Sequence, residues 1–194
     1  ESLEADLAAC MQQRSARDLA QALATLRTIA QMLTDQDQLA RWLPIIAKQA
    51  NASFDPERAL NNWERFFRVL PSIDDFLELL ATSPRLPATL STLFSGSQYL
   101  TDMVLQVPAI VDWLEVEGRL YTPHNKEEMA HDLADLLEHG TSLDDRFRML
   151  RHFRKREMVR IGLRDLTRQG DLVEITEDLS NLADVCLGGA YEVG

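Results

Sequence analysis

Apolar residues recur every three to four positions along almost the whole chain, the spacing of one helix face. A first such pattern covers residues 3–33, with Leu7, Leu19, Leu23, Leu26 and Ile29 on it and a break expected near residues 13–16. A second covers 36–50, with Pro44 bending or restarting it. The stretch "SFDPERALNNWERFFRVLP" predicts a third helix with clear punctuation. Asp55 is its N-cap, Pro56 its first helical residue, and Pro71 follows its end. Its apolar face is Leu60, Trp63, Phe67 and Leu70. Residues 72–84 predict a fourth helix capped by Ser72, and residues 85–118 two or three short ones broken at Ser95–Gly96 and Pro108. Asn125 caps the next, which Gly140 ends. Ser142 opens a long helix to about Arg168, and Gly170 separates it from the last one. No strand-like alternation of useful length appears; "LVEIT" at 172–176 is the nearest. The reading is an all-α bundle of about eight to ten helices with no significant sheet. It treats 1–194 as one helical domain and leaves open a division into 1–52 and 53–194.

The long helix from Ser142 is unusual in phase and in charge. Leu143, Phe147, Leu150, Met158 and Ile161 form one narrow stripe, and Arg154 falls inside it. Val159, Leu163 and Leu166 lie nearly opposite, so this helix is expected to be covered on several sides. The chain carries a net charge of −11, yet residues 146–168 hold nine basic side chains and two acidic ones. Arg156, Arg160 and Arg164 form a column four residues apart, where like charges repel. Burying them unpaired would cost far more. They therefore need carboxylates from the chain's own acidic helices, "SIDDFLE" or "ITEDL", or else an anionic ligand, an acidic partner or a neighbouring domain. Arg154, Arg156, Arg160 and Arg164 are accordingly the candidate anion-binding or domain-interface residues.

The remaining chemistry is sparse. The acidic balance argues against nucleic acid or an anionic membrane as partner, and no apolar run approaches the length of a membrane span. Cys10 and Cys186 read as two reduced thiols of a cytoplasmic protein. His124, His131, His139 and His152 lack metal-ligand spacing. Gly96–Ser97 followed by Glu115 and Glu117 has the outline of a nucleotidyltransferase site, but the spacing is long and no strand carries the acids. Ser97 reads as a helix cap and the glutamates as solvated. Trp42, Trp63 and Trp113 sit at apolar helical positions and read as core. No catalytic residue and no metal ligand is assigned.

Three runs carry a family resemblance. "LRHFRKREMVRIGLRDLTRQGDLVEITEDLSNLADVCLGGAYE" at 150–192 resembles the glutamine synthetase adenylyltransferase family, through Phe153, Arg154, Glu157, Met158, Arg160, Ile161, Arg164 and Asp165 and then Thr176, Leu179, Ser180, Leu182, Ala183 and Asp184. "DPERALNNWERF" and "SPRLPATLSTLFSGSQYLTDMVLQVPAIVDWL" are similar to two earlier family segments, in the same order. The resemblance implies a large bifunctional enzyme with two nucleotidyltransferase halves. One attaches AMP to glutamine synthetase and the other removes it, under control of glutamine and the PII signalling protein, with Mg²⁺ and ATP or phosphate in the catalytic domains. It implies that this chain is a helical piece of that enzyme preceding a catalytic sheet, that the Asp-x-Asp metal ligands lie outside it, and that the piece needs no cofactor. Its own role would be structural or partner-binding, against glutamine synthetase, PII or its own catalytic domain. Trp113 and the N-terminal extension favour the first, deadenylylating half. The rival expectation is a helical interaction module with no enzymatic parent.

Overall fold

The computed structural model describes residues 16–33, 35–115 and 119–193. Among them are ten helices and no strand: α1 (Ala16–Met32), α2 (Gln36–Asn51), α3 (Pro56–Val69), α4 (Ile73–Thr82), α5 (Leu86–Gly96), α6 (Gln98–Gln106), α7 (Ile110–Glu115), α8 (Lys126–Glu138), α9 (Leu143–Leu166) and α10 (Leu172–Val193). The all-α expectation holds. Of the break expected near residues 13–16, only Ala16 is described, as the first residue of α1; residues 13–15, and Glu117 with Gly118, lie outside the described residues.

Two compact units emerge, Glu1–Pro108 and Ala109–Gly194. The division falls at Pro108, just after α6, where a ring without an N–H cannot prolong the helix. The boundary considered at 52/53 instead falls inside the first unit, between α2 and α3, which pack on each other.

The first unit is organised around Trp63, which is fully buried on α3. Its ring packs edge-on against Phe94 at 5.2 Å and close to Phe67 at 6.0 Å, while Phe66 and Phe76 meet edge-on at 5.2 Å. The indole N–H donates to Ser91 Oγ at 2.9 Å, satisfying the one polar atom that burial would otherwise strand. Asn62 Nδ2 donates to the Phe94 carbonyl at 2.9 Å in the same layer. Caps fix the helix starts: Asp55 accepts from Arg58 N, and Ser72 from Asp75 N. Ser97 closes α5 and accepts from Leu100 N to open α6, the cap role its sequence implies. Pro44 sits inside α2, which runs through it unbroken.

The second unit packs α8, α9 and α10 around Met129, Leu133, Leu137, Leu150, Phe153, Ile161, Ile175, Leu182 and Val185. Asn125 and Glu128 form a reciprocal capping box at the start of α8, and Ser142 accepts from Asp145 N at the start of α9. Helix α9 ends differently from expectation. Arg168, not a glycine, takes the left-handed conformation at φ 56°. Its N–H bonds to Asp165 O and that of Gln169 to Arg164 O, the paired reverse bonds that close a helix. Gly170 lies beyond this stop, and Asp171 then accepts from Val173 N and Glu174 N to start α10.

The phase prediction for α9 holds in its second half and fails in its first. Glu157, Val159, Arg160, Ile161, Leu163 and Arg164 are all buried, so this half is covered on several sides, with Asp165 exposed. Leu143 is exposed and Phe147 and Met158 are only partly buried. Arg154, expected inside the apolar stripe, is exposed. The long arginine stem can lie along the surface and carry its charge to water.

Candidate functional site: an arginine and carboxylate network on helix α9

Helix α9 presents Arg156, Arg160 and Arg164 on successive turns, and the second unit surrounds them with carboxylates. Arg160 and Arg164 are each 1% exposed, and Glu157, one turn before Arg160, is 0% exposed. Arg160 Nε donates to Glu157 Oε2 at 2.8 Å and its Nη2 to Asp178 Oδ2 at 3.2 Å. Arg164 reaches the same Asp178 oxygen at 3.9 Å and Glu174 at 3.6 Å. Asp178 belongs to "ITEDL", one of the two acidic segments named above. Asp74 of the other, "SIDDFLE", accepts from Gln38. Arg154 has no ion pair among the described residues.

One turn earlier, Arg156 Nη2 lies 3.6 Å from Asp132 Oδ2 on α8. That oxygen also accepts from Arg119 Nη1 at 2.9 Å and lies 3.8 Å from His124 Nε2. His124 turns its other nitrogen to Glu157 Oε1 at 3.2 Å, joining the two halves of the network. The guanidinium groups of Arg156 and Arg119 also stack on Trp113, at 4.8 and 5.2 Å from its ring centroid. Trp113 is therefore a half-buried shelf for two cations and not a core residue, whereas Trp42 and Trp63 are core.

The electrostatics follow from burial. Burial alone would push the Glu157 carboxyl up. The hydrogen bond with His124 and the Arg160 charge outweigh it and hold Glu157 below the usual carboxylate range. Burial lowers Arg156, while Glu157 and Asp132 pull it back up. Such a network is not in itself a source of stability, because desolvation offsets attraction, but removing one member strands the others. Buried nitrogens of Arg156 (Nε), Arg160 (Nη1) and Arg164 (Nη1) have no hydrogen-bond partner among the described residues.

Sequence reasoning named the arginines but not Arg119, His124 or Asp132. They sit in the α7–α8 connection and on α8, and nothing in their spacing ties them to α9. The Glu157–Arg160 pair did leave a signal, a three-residue spacing on one helix. His131 pairs at 3.5 Å with Asp135 on the exposed side of α8. Among the described residues no group of three or more His, Cys, Asp or Glu is placed to hold a metal ion.

A family model described as glutamate–ammonia ligase adenylyltransferase matches residues 87–194, more than half of the chain and all of α9 and α10. The chain belongs to this family. Curated members resemble it at moderate identity. A bifunctional glutamine synthetase adenylyltransferase/adenylyl-removing enzyme of Pseudomonas syringae pv. tomato is 34% identical over 119 residues, 59% of this chain and 12% of that protein. Its Pseudomonas aeruginosa counterpart is 37% identical over 98 residues, 50% of this chain and 10% of that protein. The one from Nitrosococcus oceani is 27% identical over 158 residues, 80% of this chain and 16% of that protein. The chain thus spans between a tenth and a sixth of the length of these relatives. No solved structure gives a significant match.

Proposed function

We propose that this chain is a helical segment of a bifunctional enzyme that attaches AMP to glutamine synthetase and removes it again. The observation that carries this reading is the family match over 87–194, together with relatives that bear that double name. The nucleotide chemistry, with Mg²⁺ and ATP or phosphate, belongs in this proposal to catalytic domains of the parent enzyme. The segment itself acts as scaffold and docking surface, in the cytoplasm, toward the catalytic domain, glutamine synthetase or PII. No helix among the described residues is long and apolar enough to cross a membrane.

Two features support the scaffold role. The network fixes α9 against α8 and α10 by directional contacts. The outer face of α10 leaves Leu172, Val173, Leu179, Leu187 and Tyr191 exposed along one side. Apolar side chains aligned over a helix of this length fit a surface that a neighbour covers.

The test uses the purified parent enzyme with Leu179→Glu and Leu187→Glu. Both positions are exposed, so the fold should persist, while a carboxylate in a covered interface is costly. Adenylylation or deadenylylation should fall roughly tenfold or more, and the reaction that falls identifies the half to which the segment belongs. Unchanged rates for both reactions would remove the docking role. A parent that transfers no AMP to glutamine synthetase and removes none would favour the non-enzymatic module. The 194-residue chain alone should turn over neither ATP nor adenylylated glutamine synthetase.

A further inference from the structure

Helix α10 has two faces in two different surroundings. Ile175, Asp178, Leu182, Val185 and Gly189 are buried in the second unit. The other face repeats every seven residues. Val173, Ser180 and Leu187 fall in one row and Thr176, Ala183 and Ala190 in the next, because residues seven apart drift by only about 20° on an α-helix. Val173 and Leu187 are 73% and 71% exposed, Thr176, Ser180 and Ala183 are exposed, and Ala190 is partly buried. No charged residue stands in either row. The two hydroxyls there are folded back onto the helix itself. Thr176 Oγ1 donates to the Leu172 carbonyl at 2.7 Å, and Ser180 Oγ to the Thr176 carbonyl at 2.9 Å. Covering this seam therefore strands no donor. An uncharged seven-residue seam of about five turns has the form of a coiled-coil face, whose match is a second helix.

The charge beside the seam selects the occupant. Helix α10 carries Glu174, Glu177, Asp178, Asp184 and Glu192, and no basic residue. Glu177 and Asp184, seven apart, line the edge of the row from Val173 to Leu187. The Asp184 side chain is 59% exposed and meets Lys126 at 2.6 Å. Glu177 is exposed and has no ion pair among the described residues. In a helix pair such flanking positions meet the flanking positions of the partner. A second copy of this chain would bring there its own Glu177 and Asp184, or Leu179, Cys186 and Val193 from the other edge, and so offers no cation. The acidic edge therefore works against self-pairing and in favour of lysine or arginine.

We propose that α10 docks a basic amphipathic helix from outside this chain, which lays its apolar stripe along the seam and sets lysine or arginine beside Glu177 and Asp184. The proposal rests on the docking reading of this face given above and adds the chemistry of its occupant.

The experiment follows the fluorescence anisotropy of a labelled synthetic helix of about three heptads, with leucine and alanine on its seam and lysine at the flanking positions. It is titrated with the 194-residue chain at physiological ionic strength. A twin peptide carries glutamate at the flanking positions. The lysine peptide should bind saturably, and roughly tenfold or more tightly than its twin. Glu177→Lys should remove most of that preference, while Glu78→Lys, the same charge change on exposed α4 surface, should leave it. Leu187→Glu should abolish binding of the lysine peptide with an unchanged circular dichroism spectrum. Equal binding of the two peptides, no binding of either, or binding that survives Leu187→Glu would overturn the proposal. So would a dimer of the chain that Leu187→Glu dissolves, since a second copy would then be the occupant. The docking reading is judged separately, by the parent-enzyme rates of Leu179→Glu and Leu187→Glu. A fall in those rates without peptide selectivity would retire the basic helix and keep the docking face.

Discussion

Replacing Glu157 by Gln tests the network at its centre. Glu157 is fully buried, accepts from Arg160 Nε at 2.8 Å and pairs with His124 at 3.2 Å. Gln keeps the size and one acceptor oxygen but removes the charge. Arg160 keeps Asp178 at 3.2 Å, so the loss belongs at the lower end of the range for breaking a buried pair, about 3 kcal/mol. With a urea slope of about 1.5 kcal/mol per molar for a unit of this size, the midpoint should fall by about 2 M. Urea unfolding of the 194-residue chain is the primary assay. Hydrogen exchange of the α9 amides assigns the loss to the second unit, because the two compact units need not unfold together. Arg160→Gln and the double variant complete a cycle, in which the two losses should fail to add by at least about 1 kcal/mol. A shift under about 0.5 kcal/mol in Glu157→Gln, or simple additivity, would show that the pair is electrostatically idle and refute the argument from burial.

Four further outcomes follow from single features. Because Glu157 titrates below its unfolded value, its contribution is complete above the ordinary glutamate range and is lost as pH falls through the folded value. The stability gap between the native chain and Glu157→Gln should thus be constant from about pH 7 to 5 and close below about pH 4, read from urea midpoints. Arg154→Ala, at an exposed position without an ion pair among the described residues, should change stability by no more than about 0.5 kcal/mol in the same assay. Arg168→Gly should raise the thermal midpoint, since glycine takes φ 56° without the roughly 1 kcal/mol strain of a side chain there. Gly188→Ala, with open space at the new Cβ, should stabilise α10 by about 0.5–1 kcal/mol, whereas Gly189→Ala should forfeit that gain because its Cβ would stand 2.7 Å from buried Leu133.

The helical order was readable because its signals are local. Asp55, Ser72, Asn125 and Ser142 each cap the helix they were expected to cap, and a cap depends only on the next three residues. The end of α9 misled because glycine is the usual left-handed residue. Arg168 takes that position two residues before Gly170, and no propensity marks an arginine for it. Arg154 misled because phase alone cannot say that a stripe runs past the edge of its partner helix. The arginine column was legible as a demand for carboxylates, and "ITEDL" as one source. That Asp132 and His124 also answer it depends on how the α7–α8 connection folds back beside α9, which is tertiary information.

Trp113 gives the network an optical consequence. Trp42 and Trp63 are core residues of the first unit, so among the three tryptophans Trp113 alone reports on the second. Its indole carries two guanidinium groups near its ring, and their position depends on Asp132, the shared acceptor. Whatever moves either cation, whether an ion entering from solvent or a neighbour settling against the helices, alters the field across the chromophore. The chain thus carries an intrinsic fluorescent voltmeter, with no label attached, set against the sheltered charges of its second unit.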